Sequence, residues 1–202
     1  MNSDHFSGVR RPRVFSWLWY LVLLTWSQAT LAQEFEITAN RVASKIVIDV
    51  QADINAPIDL VWAVFSDYEH TPCFVKSVLS SHASPLGPDE LLVERVGILD
   101  LGLFSLHLGA KYRVQQEPRQ YRLQSQLVSG DAKSMHHTMQ LTSVGAEHTT
   151  LSSHAVIEPP SWFPTQWSQA LMMRQARASF QDMLNEVHKR ASTHEASTCS
   201  KS

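Results

Sequence analysis

A chain of 202 residues that is 44% hydrophobic and 18% charged has the composition of one ordinary globular domain, long enough to bury a core. Its formal net charge of −2, from 17 basic and 19 acidic residues, excludes a nucleic-acid binder that works through a basic stripe. With Cys73 and Cys199 as its two cysteines it is no disulfide-built scaffold, and the core is expected to hold by packing alone rather than by a Cys73–Cys199 bridge.

In chain order, Arg10, Arg11 and Arg13 precede an uncharged apolar run, Val14 to Trp26, and then the small residues of SQATLA. The run is short for the roughly 30 Å of a bilayer's hydrocarbon, so residues 1–32 read as a secretory signal rather than an uncleaved membrane anchor. The expected product is exported, periplasmic or secreted. Losing Arg10, Arg11, Arg13 and Asp4 would leave 14 basic and 18 acidic residues, a net charge of −4. Residues 33–41 form a short N-terminal segment. A folded domain is expected over 42–191, and 192–202, STHEASTCSKS, reads as a disordered polar tail.

The Val- and Ile-rich stretch 42–54 predicts a strand. Pro57 suits the first turn of a helix, and Ile58, Val61, Trp62 and Phe65 follow at helical spacing. Asp67 to Pro72 turns the chain, and Pro72 prevents one long helix. Strands are then predicted at 78–84, 91–98, 104–116, 120–127, 133–144 and 149–158, with SPLGPDE as a loop after the first. Period-2 alternation over successive segments argues for one antiparallel sheet with a buried face. After EPPSWFP the pattern changes: Phe163, Trp167, Ala170, Leu171, Met173, Phe180, Met183, Leu184 and Val187 fall mainly three and four apart, predicting a long amphipathic helix of about 25 residues.

A sheet with one apolar face needs a cover, and that helix is the element large enough to provide it. Ala56-Pro57 before the first helix, Asp67-Tyr68-Glu69 after it, Gly130-Asp131 ahead of a late strand and Pro159 where the last strand ends occur in this order. In these features the chain resembles the START-like helix-grip (SRPBCC) superfamily, and within it the polyketide cyclase/dehydrase and lipid-transport group that includes coenzyme Q-binding proteins. The resemblance spans about residues 42–190 and implies an α+β helix-grip fold. A curved antiparallel sheet of six or seven strands would wrap a long C-terminal helix, with two short helices after the first strand and strand 42–54 at one edge. Met139 stands where relatives carry a tryptophan, so a ligand does not carry over with the fold.

The resemblance implies a wedge between sheet and helix that holds a hydrophobic small molecule, such as a lipid or quinone. Its expected lining is Trp62, Phe65, Tyr68 and Phe74 from the helical region. Leu106, Leu108, Tyr112, Leu123, Met135, His137, Met139 and Leu141 are expected from the strands, and Trp167, Leu171 and Phe180 from the last helix. The apolar connection GILDLGLF, with Ile98, Leu99, Leu101, Leu103 and Phe104, reads as a portal or a transient membrane contact. Two functions follow: a non-enzymatic carrier, or a cyclase- or dehydrase-like enzyme with Tyr68, His70 and His137 as proton-transfer candidates. His136 and His137 point to opposite faces of a strand and cannot chelate one ion, so no metal is expected. Nucleophile-elbow, phosphate-loop and dinucleotide motifs are absent, and no cofactor is expected.

Overall fold

Alternation sets the first two strands. On β1 (Phe35–Val42), Phe35, Ile37 and Ala39 are buried between exposed neighbours; on β2 (Lys45–Ile54), Ile46, Ile48, Val50, Ala52 and Ile54 are buried. The two form a hairpin whose turn places Ala43 at a φ of 55°. The computed structural model describes residues 35–102, 104–163 and 165–193, within one folded unit spanning 34–202. The predicted signal, residues 1–32, lies outside the described residues, as does the end of the predicted tail.

From β2 the chain enters α1 (Ile58–Phe65), whose Val61 and Val64 are fully buried, and α2 (Thr71–Phe74). These cross to the far side of the sheet. There β3 (Val78–Gly87) begins a meander through β4 (Glu90–Asp100), β5 (Ser105–Glu117), β6 (Arg122–Gly130), β7 (Ser134–Gly145) and β8 (His148–Glu158). β8 then pairs with β2, giving the antiparallel order β1-β2-β8-β7-β6-β5-β4-β3. The closing helix, α3 (Thr165–Thr193), runs into the predicted tail.

The fold differs from the sequence expectations in four respects. The sheet has eight strands among the described residues, against six or seven expected, and β1 rather than β2 is its edge. β1 precedes the predicted strand 42–54 and no local signal separates the two, because their turn uses Ala43 at positive φ, with no glycine or proline to mark it. SPLGPDE is largely strand: Pro85 opposes Leu91, and a proline fits because β3 is an edge whose outward N–H groups have no ladder partner. Cys73 is disulfide-bonded, against the expectation of a core held by packing alone; Cys199 lies outside the described residues.

The helix is tied at both ends of the sheet. Gln169 Nε2 donates to Ala39 O on β1 at 2.6 Å, and Arg174 Nη2 donates to Asp100 O at the β4–β5 tip at 2.6 Å. Lys76 N–H donates to Asp182 Oδ2 at 3.0 Å beside β3, and Ser77 and Ser179 share a hydrogen bond at 3.0 Å. Along its length α3 packs chiefly against β1, β2 and the two short helices. It therefore bridges the curved sheet and leaves space over the central strands.

Gly130-Asp131 has a physical role here. Gly130 has a φ of +152°, and a Cβ on it would lie 2.6 Å from Gly109 O and 2.8 Å from Ala110 Cα. That close approach lets Asp131 N–H donate to Gly109 O at 3.0 Å while Asp131 Oδ2 accepts from Gly109 N–H at 2.7 Å. Gly130→Ala is expected to cost about 2 kcal/mol through strain and overpacking. Urea denaturation would read this as a lower midpoint at unchanged slope, and an unmoved midpoint would contradict it.

Candidate functional site

Small residues keep the space under α3 open. Ser125 on β6, Ser153 and Ala155 on β8, and Ala176 and Ser179 on α3 face a hollow of about 350 Å³. Larger apolar groups wall it: Ile48 and Val50 from β2, Val93 from β4, Val114 from β5, Leu151 from β8 and Phe180 from α3. Val78, Arg95, Tyr112, Met135, Ile157 and Ser179 also border a second chamber of about 320 Å³. This one reaches Ile98 and Leu99 on β4, and Trp162 and Phe163 before α3. The first volume lies in the range of small-molecule pockets.

The polar groups in this apolar space are few. Inward positions on β4 read Leu91, Val93, Arg95, Gly97 and Leu99, so Arg95 alone among them is charged. Its guanidinium carbon sits 5.9 Å from the centre of the Tyr68 ring, and its Nε is buried with no hydrogen-bond partner. Burial draws the Arg95 pKa down, opposed by Tyr112 and Tyr68. Burial pushes the Tyr68 phenol up to about 12 and raises that of Tyr112. His137 Nε2 lies 2.9 Å from Ser153 Oγ. Burial, then the charge of Arg95, then His154 bring His137 down to about 4, so its ring is neutral at pH 7. Arg95 and His137 lie deep yet keep residual accessible surface, as side chains bordering an empty space do.

Of the residues predicted as lining, Phe65, Tyr68, Tyr112, Leu123, Met135, His137, Met139 and Phe180 border the first chamber and Leu108 the second. Five do not border either. Trp62 packs edge-on against Tyr121, whose hydroxyl donates to Asp59 at 2.5 Å, and Phe74 lies under the Arg190 guanidinium. Leu141 is sealed in the core, and Leu106 and Leu171 are half-buried elsewhere. On α3 the first chamber meets Ala176, Ser179, Phe180 and Met183 and the second Met172, a stripe rotated from the one that places Leu171 inward. The side chain of Trp167 lies outside the described residues.

The Asp67–His70 cluster disperses. Tyr68 alone turns into the hollow. Asp67 accepts from Arg190 Nη2 at 3.0 Å and from His70 Nδ1 at 2.7 Å, and the exposed His70 ring stays outside the cavity. Glu69 accepts the Ala83 N–H at 2.6 Å and pairs with His82. Tyr68 and His137 thus share the hollow, and His70 does not join them. On the outer face His154 bonds Asp49 at 2.6 Å; among the described residues no three His, Cys, Asp or Glu gather as a metal site.

The portal residues also divide. β4 continues to Asp100, and the tip closes with Leu101 N–H donating to Phe104 O at 3.0 Å and Gly102 at a φ of +89°. Ile98 and Leu99 line the second chamber, whereas Phe104 is 60% exposed. Leu103 lies outside the described residues. Arg95 was missed by the sequence reading; its signal is a charge at an inward position of an alternating strand.

Comparison with known proteins follows from this geometry. The profile of the family described as polyketide cyclase / dehydrase and lipid transport matches residues 54–184. Curated protein sequences offer no match. The solved Zhui aromatase/cyclase from Streptomyces sp. R1128 superposes with a TM-score of 0.65 at 14% identity, over 76% of this chain and 99% of its own. A START superfamily protein from Mycobacterium smegmatis gives 0.59 at 14% identity, over 71% and 97%. The STAR-related lipid transfer protein from Xanthomonas axonopodis gives 0.61 at 8% identity, over 78% and 95%. At such identities the likeness is one of fold.

Proposed function

Because the chain belongs to the polyketide cyclase/dehydrase and lipid transport family, we propose that it is an exported, non-enzymatic carrier holding one hydrophobic small molecule between sheet and α3. The observation that carries this reading is the hollow of about 350 Å³, walled by apolar side chains and continuous in its lining with a second chamber. The N-terminal pattern of residues 1–32 supports export. Trp162, which lines the second chamber, and Phe104 at the β4–β5 tip are 59% and 60% exposed and suit an interfacial aromatic contact during exchange at a membrane.

Solvent extraction of the purified protein followed by mass spectrometry tests the carrier. A stoichiometric apolar molecule is expected from the wild type. Ala155→Phe, which fills space rather than overpacks a core, should lower its recovery at least tenfold with little change in thermal midpoint. A wild-type protein that yields nothing and does not take up neutral Nile red would overturn the carrier. A second reading, a cyclase- or dehydrase-like enzyme, draws on Tyr68, Arg95 and His137 sharing one hollow. It lacks His70 as a second histidine and would be favoured by turnover, not retention, of the extracted molecule.

A further inference from the structure

Arg95 is the unusual group in the hollow. A guanidinium taken from water costs several kcal/mol unless a counter-charge and hydrogen bonds repay it. Among the described residues no carboxylate pairs with Arg95, and its buried Nε finds no acceptor. No carboxylate lines the first chamber. In the second chamber Asp131 lines the wall, but its Oδ2 accepts the Gly109 N–H. Glu94, the neighbour of Arg95 on β4, points outward and pairs with Lys111 at 2.7 Å. What Arg95 has is the face of Tyr68, and its Nε is left without an acceptor. The side chain borders both chambers, so whatever fills either one meets it.

We propose that the hollow selects an amphipathic carboxylate, with its charged end on Arg95 and its aliphatic chain along the apolar walls under α3. This rests on the carrier reading and adds a ligand class to it. The arginine fork matches a carboxylate with two parallel hydrogen bonds, and such charge-assisted pairs are strongest where water is excluded. Tyr68, Tyr112, Ser125 and Ser153 supply hydroxyls around the same space, able to donate to the remaining lone pairs. Ile48, Val50, Leu123, Met139 and Phe180 offer nothing polar and suit the chain. A neutral ligand would leave the guanidinium uncompensated.

Dodecanoic acid, methyl dodecanoate and dodecanol share a chain and differ at the head. Their binding at pH 7.4, measured by displacement of Nile red from the full-length protein, decides the matter. The acid is expected to bind at least tenfold more tightly than the ester or alcohol. Arg95→Met should abolish that preference while keeping affinity for the neutral pair, and Arg95→Lys should restore part of it. Equal binding of acid and ester by the wild type overturns the proposal and leaves the carrier standing, and so does a preference that survives in Arg95→Met. Failure of all three compounds to displace the dye, with no dye bound at all, overturns both. The wild-type comparison holds even if a variant does not fold.

Discussion

Arg190→Met is expected to lower stability by about 3–5 kcal/mol, the range for removing one partner of a buried ion pair. Arg190 sits in the last turns of α3 with its side chain 9% exposed. Its Nε donates to Glu186 Oε1 at 2.7 Å and its Nη2 to Asp67 Oδ2 at 3.0 Å, over the ring of Phe74. Burial works against the charge, yet the two carboxylates outweigh it and raise the Arg190 pKa. Burial likewise opposes the charge on Asp67, and hydrogen bonds from His70 and Arg190 win, holding its carboxyl below the ordinary value. Without the arginine, Glu186, 3% exposed, loses its 2.7 Å partner, while Lys189 Nζ stands at 4.0 Å. Urea denaturation at pH 7 reads the loss; a change under about 1 kcal/mol would show that the clamp is a surface-like pair. The double variant Glu186→Leu/Arg190→Met should recover much of it, because both desolvated charges then leave together. The clamp lies next to the cavity, since Asp67 adjoins Tyr68, which lines the chamber.

Acidification from pH 7 to 4.5 is expected to cost the wild type about 2–3 kcal/mol more than a His137→Gln variant, at about 1.4 kcal/mol per unit of pKa difference. The pKa of His137 is brought down to about 4 from 6.5, first by burial and then by Arg95. A histidine depressed in the folded state binds its proton more readily when unfolded. Stability is therefore whole above pH 6.5 and falls as the pH drops toward 4. Glutamine can keep a hydrogen bond to Ser153 without titrating. Asp67 does not confuse the measurement: its carboxyl is also depressed, but its contribution is present above 3.8 and is lost below that, outside the window. Parallel losses in the two proteins would show that His137 is protonated as easily folded as unfolded.

Much of the fold is legible in local pattern. The alternation of Phe104 to Val114 or of Met135 to Leu141 needs no tertiary knowledge, and the three- and four-residue spacing of Phe180, Leu184 and Val187 announces a helix. Edges resist this reading. Pro85 looks like a loop residue until its strand is known to be the outermost, and Ala43 looks like a strand residue until it is found at positive φ. Faces of a helix resist it too. Met172 and Leu171 are adjacent and equally apolar, and the tilt of α3 across the sheet decides that Met172 meets the chamber.

The sequence by itself determined an antiparallel sheet, a covering helix and the order that joins them, because hydrophobic period is a property of neighbours along the chain. Only the tertiary structure decided that the cover stands off the central strands, that Asp67, Tyr68, Glu69 and His70 part company, and that Arg95 meets no counter-charge among the described residues. Those facts depend on β3, β4, β8 and α3 meeting in space. Coulomb and desolvation energies follow distance and burial, which no local pattern of residues records.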